Sequence, residues 1–344
     1  MDTARVLFDL CEASGPSGAE GGAARAAGKY AEALGAVLSY DRLGNLTALF
    51  EGQSGSTKTI MLDAHLDEVS LTVTGDAGGG FFRFKTIGHD PRVLPGASVE
   101  IIAPEGNLPG VITSVPPHIQ KPSEADKAYD ISDLYIDTGL LDCGDRVPVG
   151  ARALISGRCL KLRGDHISAP ALDDRAGFVC LLRAVEILKE NGPLGCNIAL
   201  VGSVMEEFNS MGAAAAGFRI VPDLAVVVDV THAKTPDASS EDTFPLGSGP
   251  AIGLGPNLDR GFAKTLQALA KRRAIPHSLE VMEGSTGTNA RNIQIAGRGV
   301  PCALISIPLR YMHTPQEVMS MGDLENSAKL IAAFIEKMAG GDAV

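Results

Sequence analysis

Two adjacent glutamates close an apolar run, Glu206 and Glu207 in Val201-Gly-Ser-Val-Met-Glu-Glu. Metal-assisted hydrolysis needs one carboxylate to hold a cation and a separate one to take a proton from the attacking water. Neighbouring residues at a strand end can divide those roles, although a solvated loop is the plainer reading of a single Glu-Glu pair. His65 and Asp67 stand in Ile60-Met-Leu-Asp-Ala-His-Leu-Asp. Residues two apart in an extended segment share a face, so the Asp67 carboxylate can accept the far N–H of the His65 ring and fix its tautomer. In Leu172-Asp-Asp-Arg175 successive acids precede a helix. A carboxylate there can bridge two cations while an arginine supports it; a helix N-cap with an acidic first turn fits the same residues. Asp229 ends Leu224-Ala-Val-Val-Val-Asp, and His313 follows an apolar run just before Thr-Pro. Ends of apolar runs are where an open α/β sheet presents its ligand crevice. Histidine and carboxylate donors without thiolate suit Zn²⁺, Co²⁺ or Mn²⁺. The pattern reads as a metallohydrolase.

The elements that must position these residues alternate. Val6, Leu7 and Leu10 open a helical pattern, and an alanine-rich helical stretch covers 22–34. Short β-type runs follow at 46–50 and 59–62, the second delivering His65. Between about 70 and 163 the character changes to alternating or β-branched segments parted by Gly, Pro and Asp, such as Phe81-Phe-Arg-Phe-Lys and Gly110-Val-Ile-Thr-Ser-Val. That stretch is predicted to be a small all-β domain, inserted between residues 1–69 and 164–344 of an α/β domain. Beyond it, strand-like 197–205, 224–230 and 302–307 interleave with helix-like 261–274 and 324–338. Strands alternating with helices imply a mainly parallel sheet covered on both faces.

Bulk properties exclude several classes. The 344 residues carry a formal net charge of −11, which argues against a nucleic-acid partner. No apolar run approaches the ~20 residues of a membrane span, and no secretory signal is visible. The six cysteines are scattered, without a Cys-x-x-Cys pair, and Cys180 fits a small core residue. A reduced, cytoplasmic compartment is the default expectation.

Taken in order, Ala64-His-Leu-Asp-Glu-Val, Ala171-Leu-Asp-Asp-Arg-Ala-Gly177, Met205-Glu-Glu-Phe, Val227-Val-Asp-Val-Thr and Ile307-Pro-Leu-Arg-Tyr-Met-His-Thr-Pro315 resemble the M42 metallopeptidases, the tetrahedral aminopeptidases. The resemblance covers nearly the full chain. It implies a dizinc-exopeptidase catalytic domain with a β-barrel-like insertion serving dimerisation and assembly, commonly into a twelve-subunit tetrahedron. It implies that Asp173 bridges two divalent ions, that Glu207 and His313 complete one site, and that His65 and Asp229 complete the other. Glu206 would be the general base and then the acid toward the leaving amine, with Asp67 orienting His65. Substrates would be short peptides with a free N-terminus.

Two segments depart from the family pattern. Gly287-Thr-Asn289 stands where the family usually has Gly-Thr-Asp, and Phe208-Asn-Ser-Met replaces the more usual Val-Gly-x-Arg. Both leave the preferred first residue open. Of the remaining histidines, His232 fits a structural or rim position. His118, beside Pro116-Pro117, could reach a neighbouring subunit, and His89 and His166 receive no role. Competing readings are a metal-dependent deacylase or other amidohydrolase, an enzyme acting on sugars, and a non-catalytic assembly protein. The wealth of metal-ligand candidates argues against a glycosidase, which needs only a carboxylate pair.

Overall fold

Four neighbouring strands run parallel at the centre of an eleven-stranded sheet in the computed structural model. The structure describes residues 1–120, 127–141, 143–239, 241–284 and 286–340. The central strands are Asn197–Ser203, Thr59–His65, Leu224–His232 and Cys302–Arg310, in that spatial order. Nearly every residue in them is buried, as expected for parallel strands covered on both faces. Pairing becomes antiparallel toward both margins, through Leu46–Phe50 and Val37–Tyr40 on one side and Glu317–Ser320, His166–Ala169 and Leu160–Lys161 on the other. The sheet is therefore mixed. Its parallel centre is what the strand–helix alternation foresees; its antiparallel margins are short returns that alternation does not encode.

Side-chain alternation divides two apolar layers across the central strands. Ile60, Leu62, Val226 and Val228 face a layer with the helices Thr3–Cys11, Gly21–Ala33, Leu172–Asn191, Arg260–Arg272 and Met321–Ala339. Met61, Ala225 and Val227 face the opposite layer, with the helices Met211–Ile220 and Ala290–Gln294. At roughly 25 cal/mol per Å² of buried apolar surface, these layers fix the sheet's position. All six cysteines stand unpaired, and Cys180 is a core residue.

Strands Ser70–Gly78, Phe81–Ile87, Ile136–Asp137, Leu108–Ile112, Ser98–Ile102 and Arg152–Ile155 close an antiparallel barrel with its own core, including Leu71, Val73, Phe82, Phe84 and Ile101. Closure leaves no strand edge unpaired. Leu160–Lys161 already pairs within the large sheet, so the chain returns to it between Ile155 and Leu160, slightly before the boundary at 164 drawn from sequence.

Candidate metal centre and active site

Parallel register sets four strand ends side by side. His65 is the last residue of its strand and lies opposite Ser203, three residues before Glu206. Asp229 occupies the next strand opposite Ser306, and His313 follows the end of the strand beyond it. Asp173 enters from the start of Leu172–Asn191. His65 Nε2 lies 3.0 Å from Asp173 Oδ1. His313 Nε2 lies 3.2 Å from Asp173 Oδ2 and 3.2 Å from Glu207 Oε1. Ligand atoms of His65, Asp173 and Asp229 fall within 4.8 Å of one another, as do those of Asp173, Glu207 and His313. Asp173 belongs to both groups.

Asp173, Glu207 and Asp229 have buried carboxylates, and among the described residues none pairs with a lysine or arginine. Burial pushes the Glu207 and Asp229 carboxyls up, with the Asp173 charge adding to both. Burial alone would also raise Asp173, but hydrogen bonds from His313 and His65 outweigh it and hold that carboxyl well below its usual range. Burial works against protonation of His313, yet its contacts with Asp173 and Glu207 push it up to about 11. The imidazoles thus stand in as the cations of the cluster. A hard or borderline dication fits this donor set, and its entry would displace those protons.

Three segments that carry candidate ligands hold non-glycine residues in the left-handed region: Ala171 at φ 52°, Met205 at φ 57° and His313 itself at φ 63°. Each costs about 1 kcal/mol or more, so surrounding contacts must enforce the turns. The capping and ligand readings of the Asp-Asp pair divide between its members. Asp173 joins the ligand groups, whereas the Asp174 carboxylate accepts the Gly177 N–H at 3.0 Å and caps the helix.

A family model described as M42 glutamyl aminopeptidase matches residues 44–330. The chain belongs to the M42 aminopeptidase family. It is similar to the lysyl aminopeptidase of Pyrococcus furiosus, 31% identical over 307 residues that cover 88% of this chain and 87% of the relative. Its fold matches a TET aminopeptidase from a marine sediment thaumarchaeote with a TM-score of 0.92, at 28% identity over 98% of this chain and 96% of that one. The TET1 peptidase of Pyrococcus horikoshii, described as able to assemble into a tetrahedron or a large octahedral shell, superimposes with a TM-score of 0.84 at 27% identity. That likeness covers 97% of this chain and 99% of the other. Family membership makes the chain a peptide-bond hydrolase that uses divalent metal.

In this M42 peptidase the polar scaffold behind the ligands differs from the sequence reading at several points. His65 Nδ1 meets the Asp67 main-chain carbonyl at 3.0 Å, with the Asp67 carboxylate farther off at 3.5 Å. That carboxylate instead accepts the Glu206 N–H at 2.9 Å and the Glu207 N–H at 3.1 Å, clamping the start of the one-turn helix Glu206–Asn209. Arg175 does not support Asp173. Its buried guanidinium donates to the carbonyls of Leu66, Leu10 and Ala13 and to Glu68 Oε1. His166 bonds locally to the Arg163 carbonyl, away from the ligands.

Sequence reasoning missed two positioning groups. The buried Glu317 carboxylate accepts the Asp173 N–H at 3.1 Å and the His313 N–H at 2.8 Å, tying ligands of both groups together. From the barrel, the Gly88 carbonyl accepts His313 Nδ1–H at 3.1 Å, while His89 Nδ1 meets the His313 carbonyl at 3.0 Å. His89, assigned no role from sequence, therefore braces the loop that carries His313. Burial lowers its imidazole to about 4, so it does so as a neutral ring. Gly88 has φ 81°, and a Cβ there would meet Val69 Cγ1 at 2.1 Å, so only glycine fits this corner. The His-x-x-x-Glu spacing from His313 to Glu317 was the available signal for the first group; nothing local signals the second.

Asn289 does not line the substrate cavity. Buried, it donates from Nδ2 to Asp63 Oδ2 at 2.8 Å and to Ser203 Oγ at 2.8 Å. The carboxylate expected at 289 thus has a counterpart across the bond, at Asp63, which burial raises to about 7. Asn289→Asp should set two buried carboxylates face to face and cost on the order of 3 kcal/mol in denaturant unfolding at pH 8. Adding Asp63→Asn, which swaps the carboxylate, should restore most of that loss. A neutral single variant would refute the pairing.

A cavity of about 310 Å³ opens from the ligands toward solvent, lined by Glu206, Asp229, Thr231, His232, Glu280, Met282, Thr288 and Met312 among others. The exposed His232 sits at its rim. Such a volume accommodates a small substrate.

Proposed function

We propose that the chain is a dinuclear metal-dependent aminopeptidase that removes residues from the free N-termini of short peptides. The observation that carries this reading is a pair of ligand groups sharing Asp173, with Glu206 lining the same cavity but belonging to neither group. His65, Asp173 and Asp229 would hold one divalent ion, and Asp173, Glu207 and His313 the other. When bound, the ions supply Lewis acidity toward the scissile carbonyl and toward water. Zn²⁺ or Co²⁺ suits the donors best, with Mn²⁺ also compatible.

Every remaining task falls to side chains of this chain. Glu206 accepts the water's proton at its carboxylate and returns it to the leaving amine. Its carboxyl is raised to about 7, chiefly by burial, with Glu207 and Asp173 adding and His65 opposing. Asp67 fixes Glu206 and Glu207 through their main-chain N–H groups, and Glu317 fixes Asp173 and His313 in the same way. The carboxylate-rich cavity receives the substrate's α-amine.

A deacylase on the same scaffold would need an N-blocked substrate, which sets the decisive assay. One peptide series, free and N-acetylated, is followed by mass spectrometry alongside elemental analysis of metal-reconstituted protein. Stepwise loss from free N-termini with near two metal equivalents is expected. Equal cleavage of the acetylated series would overturn the aminopeptidase reading, and a ceiling of one equivalent the dinuclear one.

Likeness to TET assemblies also supports a homo-oligomer, dimer-based and extending to a dodecamer, with the barrel as its contact module. Val111, Leu141 and Val149 are exposed on that barrel region, and apolar side chains of this kind favour association. Light scattering on the intact protein should give a multiple of the subunit mass. A monomer would contradict the assembly.

A further inference from the structure

Past Asp229 the cavity runs on to a carboxylate that neither ligand group uses. Glu280, on the edge strand Ser278–Val281, lines it together with Thr231, Met282 and Met312. Glu280 Oε1 accepts the Thr231 hydroxyl, and Oε2 accepts the Ser306 hydroxyl at 2.6 Å. A carboxylate has about four lone-pair sites, so two remain for a ligand once these hydroxyls are bound. Five carboxylates line the cavity: Asp173, Glu206, Glu207, Asp229 and Glu280. Two divalent ions would offset about four of those charges, and among the described residues no lysine or arginine lines the cavity to offset the fifth.

Distance decides what that fifth charge meets. Thr231, which Glu280 grips, lies two positions beyond Asp229 on one strand, hence on the same face about 7 Å farther along. A substrate's α-amine sits only about 2.5 Å from its scissile carbon, by ordinary bond lengths and angles. With the scissile carbonyl held beside Glu206 and the ligand groups, the α-amine stays there too. A long side chain from the first residue can extend the remaining distance. The half-buried Met282 and Met312 provide adaptable apolar walls for such a stem, which carries its charge only at the tip.

We propose that Glu280 selects peptides whose N-terminal side chain is an ammonium or guanidinium, lysine or arginine. The assignment rests on the aminopeptidase reading of the site and names its substrate class. Calorimetry with lysinamide and norleucinamide, which differ mainly in the terminal ammonium, measures the preference on metal-loaded protein carrying Glu206→Gln, so that hydrolysis of the probes' own amide bonds is suppressed. Lysinamide should bind on the order of 10-fold tighter or better, as expected for a hydrogen bond to a charged group. Glu280→Gln should bring the ratio close to one, and Glu280→Lys should turn the preference toward the amide of glutamic acid. Rates on lysyl, norleucyl and glutamyl p-nitroanilides should follow the same order. A ratio near one with Glu280 intact overturns the proposal. So does an equal loss for both amides in Glu280→Gln, which would place the α-ammonium at Glu280. Should free-amine peptides resist cleavage while a Glu280-dependent lysinamide preference persists, the reaction assignment fails and the cation site stands.

Discussion

Glu206→Gln is expected to retain both metal equivalents and lose at least on the order of 10²-fold in kcat, the usual contribution of general acid–base help. The two glutamates are adjacent and share the Asp67 clamp, yet only Glu207 contacts His313 and joins a ligand group. Glutamine at 206 keeps the main-chain N–H that Asp67 holds, and its amide still offers an oxygen to the Ser210 hydroxyl that Glu206 Oε1 accepts at 3.2 Å. What it cannot do is carry a proton. Glu207→Gln should behave in the opposite way, with metal occupancy falling first and turnover recovering as metal is added. Elemental analysis and steady-state rates across a metal titration separate the two. A reversed pair of phenotypes would overturn the division of roles.

Arg175→Met should be among the most destabilising single changes in the chain, about 3–5 kcal/mol, the cost of removing one partner from a buried ion pair. Arg175 is fully buried against Glu68, whose carboxylate also accepts the Gly15 N–H. Methionine replaces the stem but leaves Glu68 without its cation in the interior and removes the Arg175 donors to the carbonyls of Ala13 and Leu66, while the Leu10 carbonyl keeps the Ala13 N–H. The thermal midpoint should fall by on the order of 5 °C or more. Glu68→Gln added to Arg175→Met should recover part of the loss, because the stranded charge is gone. Indifference to the single change would show that these bonds contribute little. Metal retention is a second readout, since the Leu66 carbonyl held by Arg175 lies between His65 and Asp67.

The candidate ligands stood out in the sequence because four of their five segments end an apolar run, and parallel strands bring such ends together. His65, Asp229, the glutamate pair and His313 all follow this rule, and Asp173 starts the helix that packs across them. The barrel was legible from alternation in segments such as Phe81–Ile87, where Phe82 and Phe84 turn inward. Hydrogen-bond partners were far less so. The bonds from Asp67 to the glutamate pair, from Arg175 to Glu68 and from Asn289 to Asp63 join residues more than a hundred positions apart, and no local periodicity encodes them. Residue type indicated that Asp67 would accept hydrogen bonds; only the fold decides which N–H groups it meets. Asn289 is the sharpest case: a missing carboxylate in the sequence became, in space, a carboxylate on the strand Thr59–His65 beside it.

The corner at Gly88 and His89 has a consequence for anyone recombining these proteins. Among the described residues, the barrel's hydrogen bonds to His313 come from Gly88 and His89. The corner aims an imidazole that belongs to another part of the chain. A chimera that exchanges the whole barrel with a relative must therefore import a matching corner or keep the resident one. Otherwise it inherits a poorly aimed His313.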